Sequence, residues 1–476
     1  EQLAALTAAG GGLRVFADQT VEVAGCGAAG RGCVQRTQFP DLTRARELHA
    51  QGITGRGVTV AVIDTGITLK NALQSDTDRQ DRLWVQYDAI LDQEYRARED
   101  DGSGHGSHIA AVIVSSESED RRAFNGIAPD AGLVSVKAFG EDGYGTYADV
   151  IRGLEWVVQN RNALGIRVVN LSFSAPPRSA YWEDPLNQAV MKAWQAGLVV
   201  VAAAGNGGPE PMTVGVPGNV PYVITVGAMT DSYTPEDRSD DRLASFSSAG
   251  PTHEAFVKPD VVAPGGHLRS IMGNSSTLAR QHPEFHDGSY HFVMSGTSQA
   301  AAVVSGVTAL LLAAEPSLSP DDVKCRLMAS AHPALGEGGE LAYSVFQQGA
   351  GLVDAVAALA SSDFGCANQG LDIGRDLADE EHFVGLARQA DDGSYFLEGV
   401  DAFAWNTGFA WNGAFAWNTG FAWNTAFAWN TGFAWNTAFA WNTGFAWNTA
   451  FAWNTAFAWN TALTEPMAVT VWVEPE

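Results

Sequence analysis

Val58-Thr-Val-Ala-Val-Ile-Asp64-Thr-Gly66 is the stretch on which the reading of the fold turns. A short, almost wholly apolar run rich in β-branched residues predicts a strand buried on both faces, and such strands belong to parallel sheets. It ends on a carboxylate, followed by a glycine that permits a sharp turn. Working outward, similar runs at Gly132 to Ala138, Val168 to Phe173, Leu198 to Ala204 and Tyr222 to Val226 predict further strands. Amphipathic or apolar stretches at His108 to Ser115, Tyr147 to Gln159, Pro185 to Ala196 and Ser298 to Ala314 predict helices between them. This alternation implies an α/β domain with a mainly parallel sheet flanked by helices. In such a sheet the chemistry is carried by loops beyond the strand C-termini.

Four segments place a polar or reactive side chain at such a point. Asp64 ends its strand. Asp101-Gly-Ser-Gly-His105-Gly-Ser-His108 is a Gly-rich approach to an apolar helix, and Val199-Val-Val-Ala-Ala-Ala-Gly-Asn206 ends another strand on an amide. Ser295-Gly-Thr-Ser298-Gln-Ala-Ala-Ala puts a serine at the head of the most apolar helix. A serine hydroxyl attacks a carbonyl only if an imidazole takes its proton, a carboxylate holds the imidazole, and donors receive the oxyanion. Asp64, His105, Asn206 and Ser298 are those groups. The helix opening at Ser298 adds free N–H groups and the positive end of its dipole. Singly, each residue is equally well a turn or capping residue; together and in this order they are not.

Asp64-Thr-Gly, His105-Gly-Ser-His108, Ala204-Gly-Asn206 and Gly296-Thr-Ser298 resemble the signature segments of the subtilisin-like serine proteases, which carry their triad in the order Asp, His, Ser. The likeness covers roughly two-thirds of the chain. It implies Asp64 as orienting carboxylate, His105 as general base and then acid, Ser298 as nucleophile, and Asn206 with the Ser298 amide as oxyanion donors. Val136-Lys-Ala-Phe-Gly140-Glu-Asp-Gly143-Tyr144-Gly145 resembles the family's substrate-binding edge. Asn170-Leu171-Ser172-Phe173-Ser174 resembles the opposite wall of its cleft, Gly215 matches the base of its specificity pocket, and Lys258 to Gly265 is a further typical segment. An extended substrate is expected to lie as an added strand between the two walls. The implied activity is endopeptidase cleavage through an acyl-enzyme, with no organic cofactor and a broad preference for apolar side chains.

This sequence departs from the family pattern in several places. Gln299 and Ala302 stand where methionine and proline are usual, and Ser174 and Ala175 replace paired glycines of the pocket wall, which would narrow it. The family's calcium-ligand pattern after Asp64 is not reproduced, so the metal is unknown. Structural calcium is expected only from acidic loops such as Asp76 to Asp81 and Glu117 to Asp120. His108 is expected to be a structural histidine rather than a metal partner of His105. His282, His286 and His291 are expected in a solvated insertion.

The 476 residues carry 28 Lys+Arg against 54 Asp+Glu, a net charge of −26, which argues against nucleic acid as a partner. No run approaches the ~18 consecutive apolar residues of a spanning helix. Cys26, Cys33, Cys325 and Cys366 show no zinc spacing and are expected to form disulfides in a secreted protein, their connectivity open and four free thiols the alternative. The chain opens on Glu1 with no basic-then-apolar leader, which reads as a chain whose preceding part has been removed.

Five domains are expected. Residues 1–40 resemble the tail of the family's propeptide with a linker, cleaved near Ala24 to Thr37; 41–365 is the catalytic domain; 366–402 is an acidic linker. Residues 403–462 are a near-perfect hexapeptide repeat, Phe-Ala-Trp-Asn-Thr-(Gly/Ala), holding ten of the 15 Trp and no charge; 463–476 is a capping strand. An even period keeps Phe, Trp and Thr on one strand face, whereas a helix would smear them around its axis. The sixth residue alternates Gly408, Ala414, Gly420, Ala426, so the coil is twelve residues and the expectation a small all-β solenoid. It would serve as a spacer or associate with a cell surface or polymer. Two rivals to the enzyme stand: a catalytically silent binding protein of the same fold, suggested by Gln299 and Ala302, and an adhesive protein acting through the repeats.

Overall fold

Residues Thr59–Asp64 form β1, near the middle of the principal sheet. The computed structural model describes residues 36–119, 123–336, 339–398, 466–468 and 472–476. The other strands of the sheet are β2 (Leu83–Asp88), β3 (Gln93–Tyr95), β4 (Gly132–Lys137), then, past the short edge strand β5 (Tyr144–Thr146), β6 (Ile166–Leu171), β7 (Val199–Ala203), β8 (Ile224–Thr230), β9 (Arg242–Leu243) and β10 (Val261–Pro264). Their order is β10-β8-β7-β6-β1-β4-β2-β3, with β9 beside β8, and β11 (Leu268–Ile271) pairs antiparallel with β12 (His291–Met294) outside this sheet. Every pair from β10 to β2 is parallel, and only the margins β3 and β9 run antiparallel. The mainly parallel α/β sheet expected from the sequence is therefore present. β2 and β10 were not anticipated, because Leu83–Asp88 mixes polar and apolar residues and Val261–Pro264 is only four residues long.

Every residue of β1, β7 and β8 is buried. A strand is buried throughout only when both sheet faces are covered. Two helix pairs do this: α1 (His105–Val114) packs on α4 (Thr297–Ala314), and α2 (Tyr147–Asn160) on α3 (Pro185–Gln195), both pairs reaching β1 and β7. Their starts follow from the sequence. Thr146 caps α2 through Asp149 N–H, while Asp184 caps α3 through Leu186 and Asn187 with Pro185 in the first turn. α4 is apolar enough and long enough to cross a membrane, but 89% of its 18-residue span is buried inside the protein, so it is a core helix.

Two expected boundaries move. The helical turn Phe39–Leu42 buries Phe39 and Leu42, and the Thr37 N–H donates to Asn125 Oδ1 at 3.1 Å, so the packed body begins before residue 41. The acidic segment 366–398 is not a linker. Asp376 is buried and accepts from Tyr181 Oη (2.6 Å) and Tyr222 Oη (2.9 Å), and the hairpin β13 (Ala387–Gln389) with β14 (Tyr395–Leu397) buries Ala387 and Leu397. Its acidity misled because one carboxylate is consumed inside the body. Cys325 and Cys366 form a disulfide that ties α5 (Pro320–Ala329) to this segment. Cys26, Cys33, the propeptide-like residues and the repeats 403–462 lie outside the described residues. The terminal strand, β15 (Pro466–Ala468), was expected to cap the repeats; it pairs antiparallel with β5.

Candidate active site

The sheet gathers the sequence-predicted residues at one end. Asp64 is the last residue of β1, Asn206 lies just past β7, Ser172 to Ser174 follow β6, and Gly143 to Gly145 follow β4. α1 and α4 bring His105 and Ser298 to the same rim from their first turns. The Asp64 carboxylate meets His105 Nδ1 at 2.7 Å, with both side chains almost fully buried. Asp64 Oδ1 also accepts the Thr65 N–H at 2.8 Å. A carboxylate at Nδ1 leaves the other ring nitrogen to face the reaction, which is the tautomer a general base needs. The approach is close because residue 106 is glycine: a Cβ there would fall 2.3 Å from the Gly66 carbonyl oxygen.

Asp101 supports this pair and was missed as a functional residue. Its Oδ1 accepts Thr65 Oγ1 at 2.7 Å and the Gly104 N–H at 2.8 Å; its Oδ2 accepts the Ser107 N–H and hydroxyl at 2.8 and 2.5 Å. One carboxylate thus clamps the loop carrying Asp64 to the helix carrying His105. The signal in the sequence was an Asp ahead of a helix with Gly-Ser between, read there only as a flexible approach. Next to it, burial pushes the Asp100 carboxyl up to about 6, while Oδ1 accepts the Ile67 N–H at 2.8 Å.

Ser298 sits in the first turn of α4, and its hydroxyl donates to the Ser172 carbonyl at 3.0 Å. In return the Ser172 hydroxyl donates to the Ser298 carbonyl at 2.9 Å, Asn170 Nδ2 donates to Ser172 Oγ at 2.8 Å, and Ser305 Oγ donates to Asn170 Oδ1 at 2.9 Å. This buried chain fixes α4 to β6. Asn206 is held by its oxygen: Oδ1 accepts the Thr297 N–H and Oγ1, both at 2.9 Å, and Thr297 Oγ1 accepts the Gly205 N–H at 3.1 Å. The amide nitrogen lies on the side of the Ser298 helix start, where a Cβ on Gly296 would lie 3.3 Å from Asn206 Nδ2. Thr297 is the second positioning residue that motif reading passed over.

Beside Ser298 lies a cavity of about 390 Å³, lined by Phe173, Ser174, Asn206, Gly215 and Ala468 among others. A Cβ on Gly215 would come within 2.0 Å of Ser174 Oγ, and one on Gly205 within 3.0 Å, so the Ser174 hydroxyl stands inside the pocket. Leu171 turns into the core, Phe173 packs on Phe139 with ring centroids 5.0 Å apart, and Tyr144 is exposed beside the cleft. The two walls named from the sequence are therefore backbone walls with Ser174 as the intruding side chain.

The remaining histidines sort by burial. His108 Nε2 reaches the Leu268 and Phe292 carbonyls at 3.2 and 3.1 Å, and complete burial holds its pKa down to about 3, as befits a neutral structural ring. His291 is not in a solvated insertion: it is buried between Glu117 (2.9 Å) and Asp287 (3.1 Å). Among the described residues no group of three or more His, Cys, Asp or Glu is arranged to hold a metal ion. In the acidic loop Asp76 to Asp81, Asp76 pairs with Arg56 and accepts from the Asp78 and Gln80 N–H groups.

A paired Asp and His, a serine at a helix head and an asparagine amide beside it, all at the C-terminal rim of a parallel sheet, are the groups that nucleophilic acyl transfer at a serine requires. Residues 55–352 match the model of the subtilase family, and the chain belongs to that family. Serine protease AprX of Bacillus subtilis (strain 168) is 38% identical over 291 residues, 60% of this chain; the chain spans 64% of the length of that relative. Subtilisin DY of Bacillus licheniformis is 33% identical over 319 residues, 67% of this chain and 96% of its own. Among solved structures, the S41 psychrophilic protease aligns with a TM-score of 0.51 and 26% identity over 63% of this chain and 92% of that one. The Clostridium perfringens CspB protease, at 20% identity, shares the fold with a TM-score of 0.56 over 67% of this chain and 98% of its own.

Proposed function

We propose that the chain is a secreted serine endopeptidase. Ser298 attacks the scissile carbonyl, His105 takes the hydroxyl proton and returns it to the leaving amine, and Asp64 keeps the imidazole in register. Asn206 Nδ2 and the Ser298 N–H receive the oxyanion at the positive end of α4. Water then repeats the sequence on the acyl-enzyme. The single observation that supports this reading best is the buried 2.7 Å contact of Asp64 with His105 at the rim where Ser298 opens α4.

Gln299 and Ala302 do not favour a silent protein. Both are buried in α4; the Gln299 amide nitrogen is turned to Met294 Sδ at 4.0 Å, and Ala302 carries no polar side-chain group. The substrate is an extended peptide laid between β5 and the strand end at Leu171 to Ser174, with side-chain chemistry alone and no organic cofactor. Extracellular placement is supported by the Cys325–Cys366 bridge. Association with a surface or polymer through 403–462 belongs to the same proposal and rests on the repeat sequence alone.

The test is covalent labelling of Ser298 by a fluorophosphonate together with hydrolysis of a mixed peptide library. Ser298→Ala is expected to lose labelling entirely and to lower kcat by about 10⁶-fold. A folded chain whose wild-type and Met467→Glu forms both neither label nor cleave any peptide is the silent binding protein instead.

A further inference from the structure

The cleft between the two backbone walls is filled by this chain. β15 pairs antiparallel with β5, setting Pro466 opposite Thr146, Met467 opposite Gly145 and Ala468 opposite Tyr144. From the other side Ala468 makes an antiparallel bridge with Ser174. A three-residue segment therefore lies as the middle strand between both walls to which the peptide substrate is assigned. Met467 is 2% exposed and joins the main core, and Ala468 lines the same cavity as Ser298, Asn206 and Gly215.

The segment is fastened again further on. Trp472 stacks on His282 with ring centroids 3.7 Å apart and packs against Phe285 and Phe292. The short helix Thr277–Gln281, which leads to His282, is bonded to the loop before His105: Thr277 N–H donates to the Gly102 carbonyl at 2.8 Å and Leu278 N–H to that of Ser103 at 3.1 Å. Beyond Trp472, the Glu476 carboxylate accepts from the Ser245 N–H at 3.1 Å and from its hydroxyl, and the Glu476 main-chain oxygen accepts from Thr230 Oγ1 at 3.0 Å and meets His267 Nδ1. Ala468 is thus seated on the Ser298 side of the cleft and Trp472 on the side of the His105 loop.

We infer that residues 466–468 and 472–476 act as an intramolecular ligand of the substrate cleft, with 466–468 bound as a substrate strand is bound and closing the site to other chains until it is displaced or cut. The inference rests on the peptidase reading for its consequence, though the contacts stand without it. A β-strand added to an exposed edge draws affinity from main-chain hydrogen bonds and selectivity from alternate side-chain pockets. Here Met467 fills such a pocket while Ala468 turns to the cavity. Because the ligand is tethered, an incoming peptide competes against an intramolecular partner whose effective concentration does not fall on dilution.

The experiment compares the full chain with full-chain Met467→Glu and Trp472→Ala, following hydrolysis of a short chromogenic peptide and the rate of fluorophosphonate labelling. A charge in the Met467 pocket or loss of the indole releases the segment, and both rates are expected to rise about tenfold or more. A synthetic peptide of residues 464–476 is expected to inhibit Met467→Glu competitively, while a scrambled peptide does not. Loss of the terminal residues from the wild-type chain on incubation, absent in Ser298→Ala, counts as support, since only a cleft occupant is presented to Ser298. Equal rates in all three chains with no inhibition by the peptide overturn the inference while leaving the peptidase reading intact. If no chain labels or hydrolyses, the peptidase reading fails, and the inference is then decided by fluorescence anisotropy of the labelled 464–476 peptide: binding to Met467→Glu but not to wild type upholds it, and no binding to either overturns it.

Discussion

Three side chains of the site region have consequences that their residue types do not announce. Asp101 accepts four hydrogen bonds that join the Asp64 loop to α1. Asp101→Ala is expected to lower kcat about 10²-fold with little change in KM, because misplacing the general base by about 1 Å has that effect without touching the substrate walls. Gln299 is buried with Oε1 unpartnered among the described residues. Gln299→Met removes a desolvated acceptor at nearly constant volume and is expected to raise stability by about 1–3 kcal/mol, read as an upward shift of the denaturant midpoint at constant slope. Ser174 puts its hydroxyl between Gly205 and Gly215. Ser174→Gly enlarges the pocket, and the ratio of kcat/KM for a large aromatic over a small aliphatic residue at the cleaved bond is expected to rise about tenfold or more. The sequence flagged Ser174 and Gln299 as departures, yet Asp101 escaped notice because its value lies in the partners it joins, which come from separate elements.

At the scale of elements, the site depends on how firmly α1 and α4 are seated. α4 is pinned at its head by Thr297 to Asn206 and one face along by Ser305 to Asn170, so Asn206 is aimed by the helix that carries the nucleophile. The periodicity of these helices was legible, because a long apolar pattern survives any tertiary context. Edge features were not: β2 and β10 are short or mixed in polarity, and their strand character comes from neighbours already in the sheet. The acidic segment after residue 366 also follows its partners, docking through Asp376 and the Cys325–Cys366 bridge, which closes a sequence separation of 41 residues. Replacing both cysteines by alanine is expected to cost about 2–4 kcal/mol in reversible unfolding, chiefly by freeing the unfolded chain.

Across the whole molecule, the body buries an ionic cluster away from the site. Lys258 Nζ meets Asp260 at 2.6 Å and the Val223 carbonyl at 2.8 Å, and Lys324 meets the other Asp260 oxygen at 3.1 Å, all buried. Burial holds the Lys258 pKa down to about 7, whereas in the unfolded chain it keeps its ordinary value of 10.5. Between those values the unfolded chain binds more protons, so this group makes stability rise as pH climbs from about 7 toward 10. Denaturant melts across that range are expected to show the rise, and Lys258→Met to flatten it. Tyr395–Leu397 belongs to a hairpin docked on the body and Pro466–Ala468 to a strand seated in the cleft. By itself the sequence determined the class of sheet, the family and which four polar residues would gather at the sheet's rim, because buried runs and short motifs are local and survive without knowledge of their neighbours. Only the tertiary structure decided that Asp101 and Thr297 tie the site's loops to its helices, and that the terminal segment lies in the cleft. Each of these is a meeting of residues far apart in the chain, and a pairing across such distances is set by packing and strand register rather than by any local pattern.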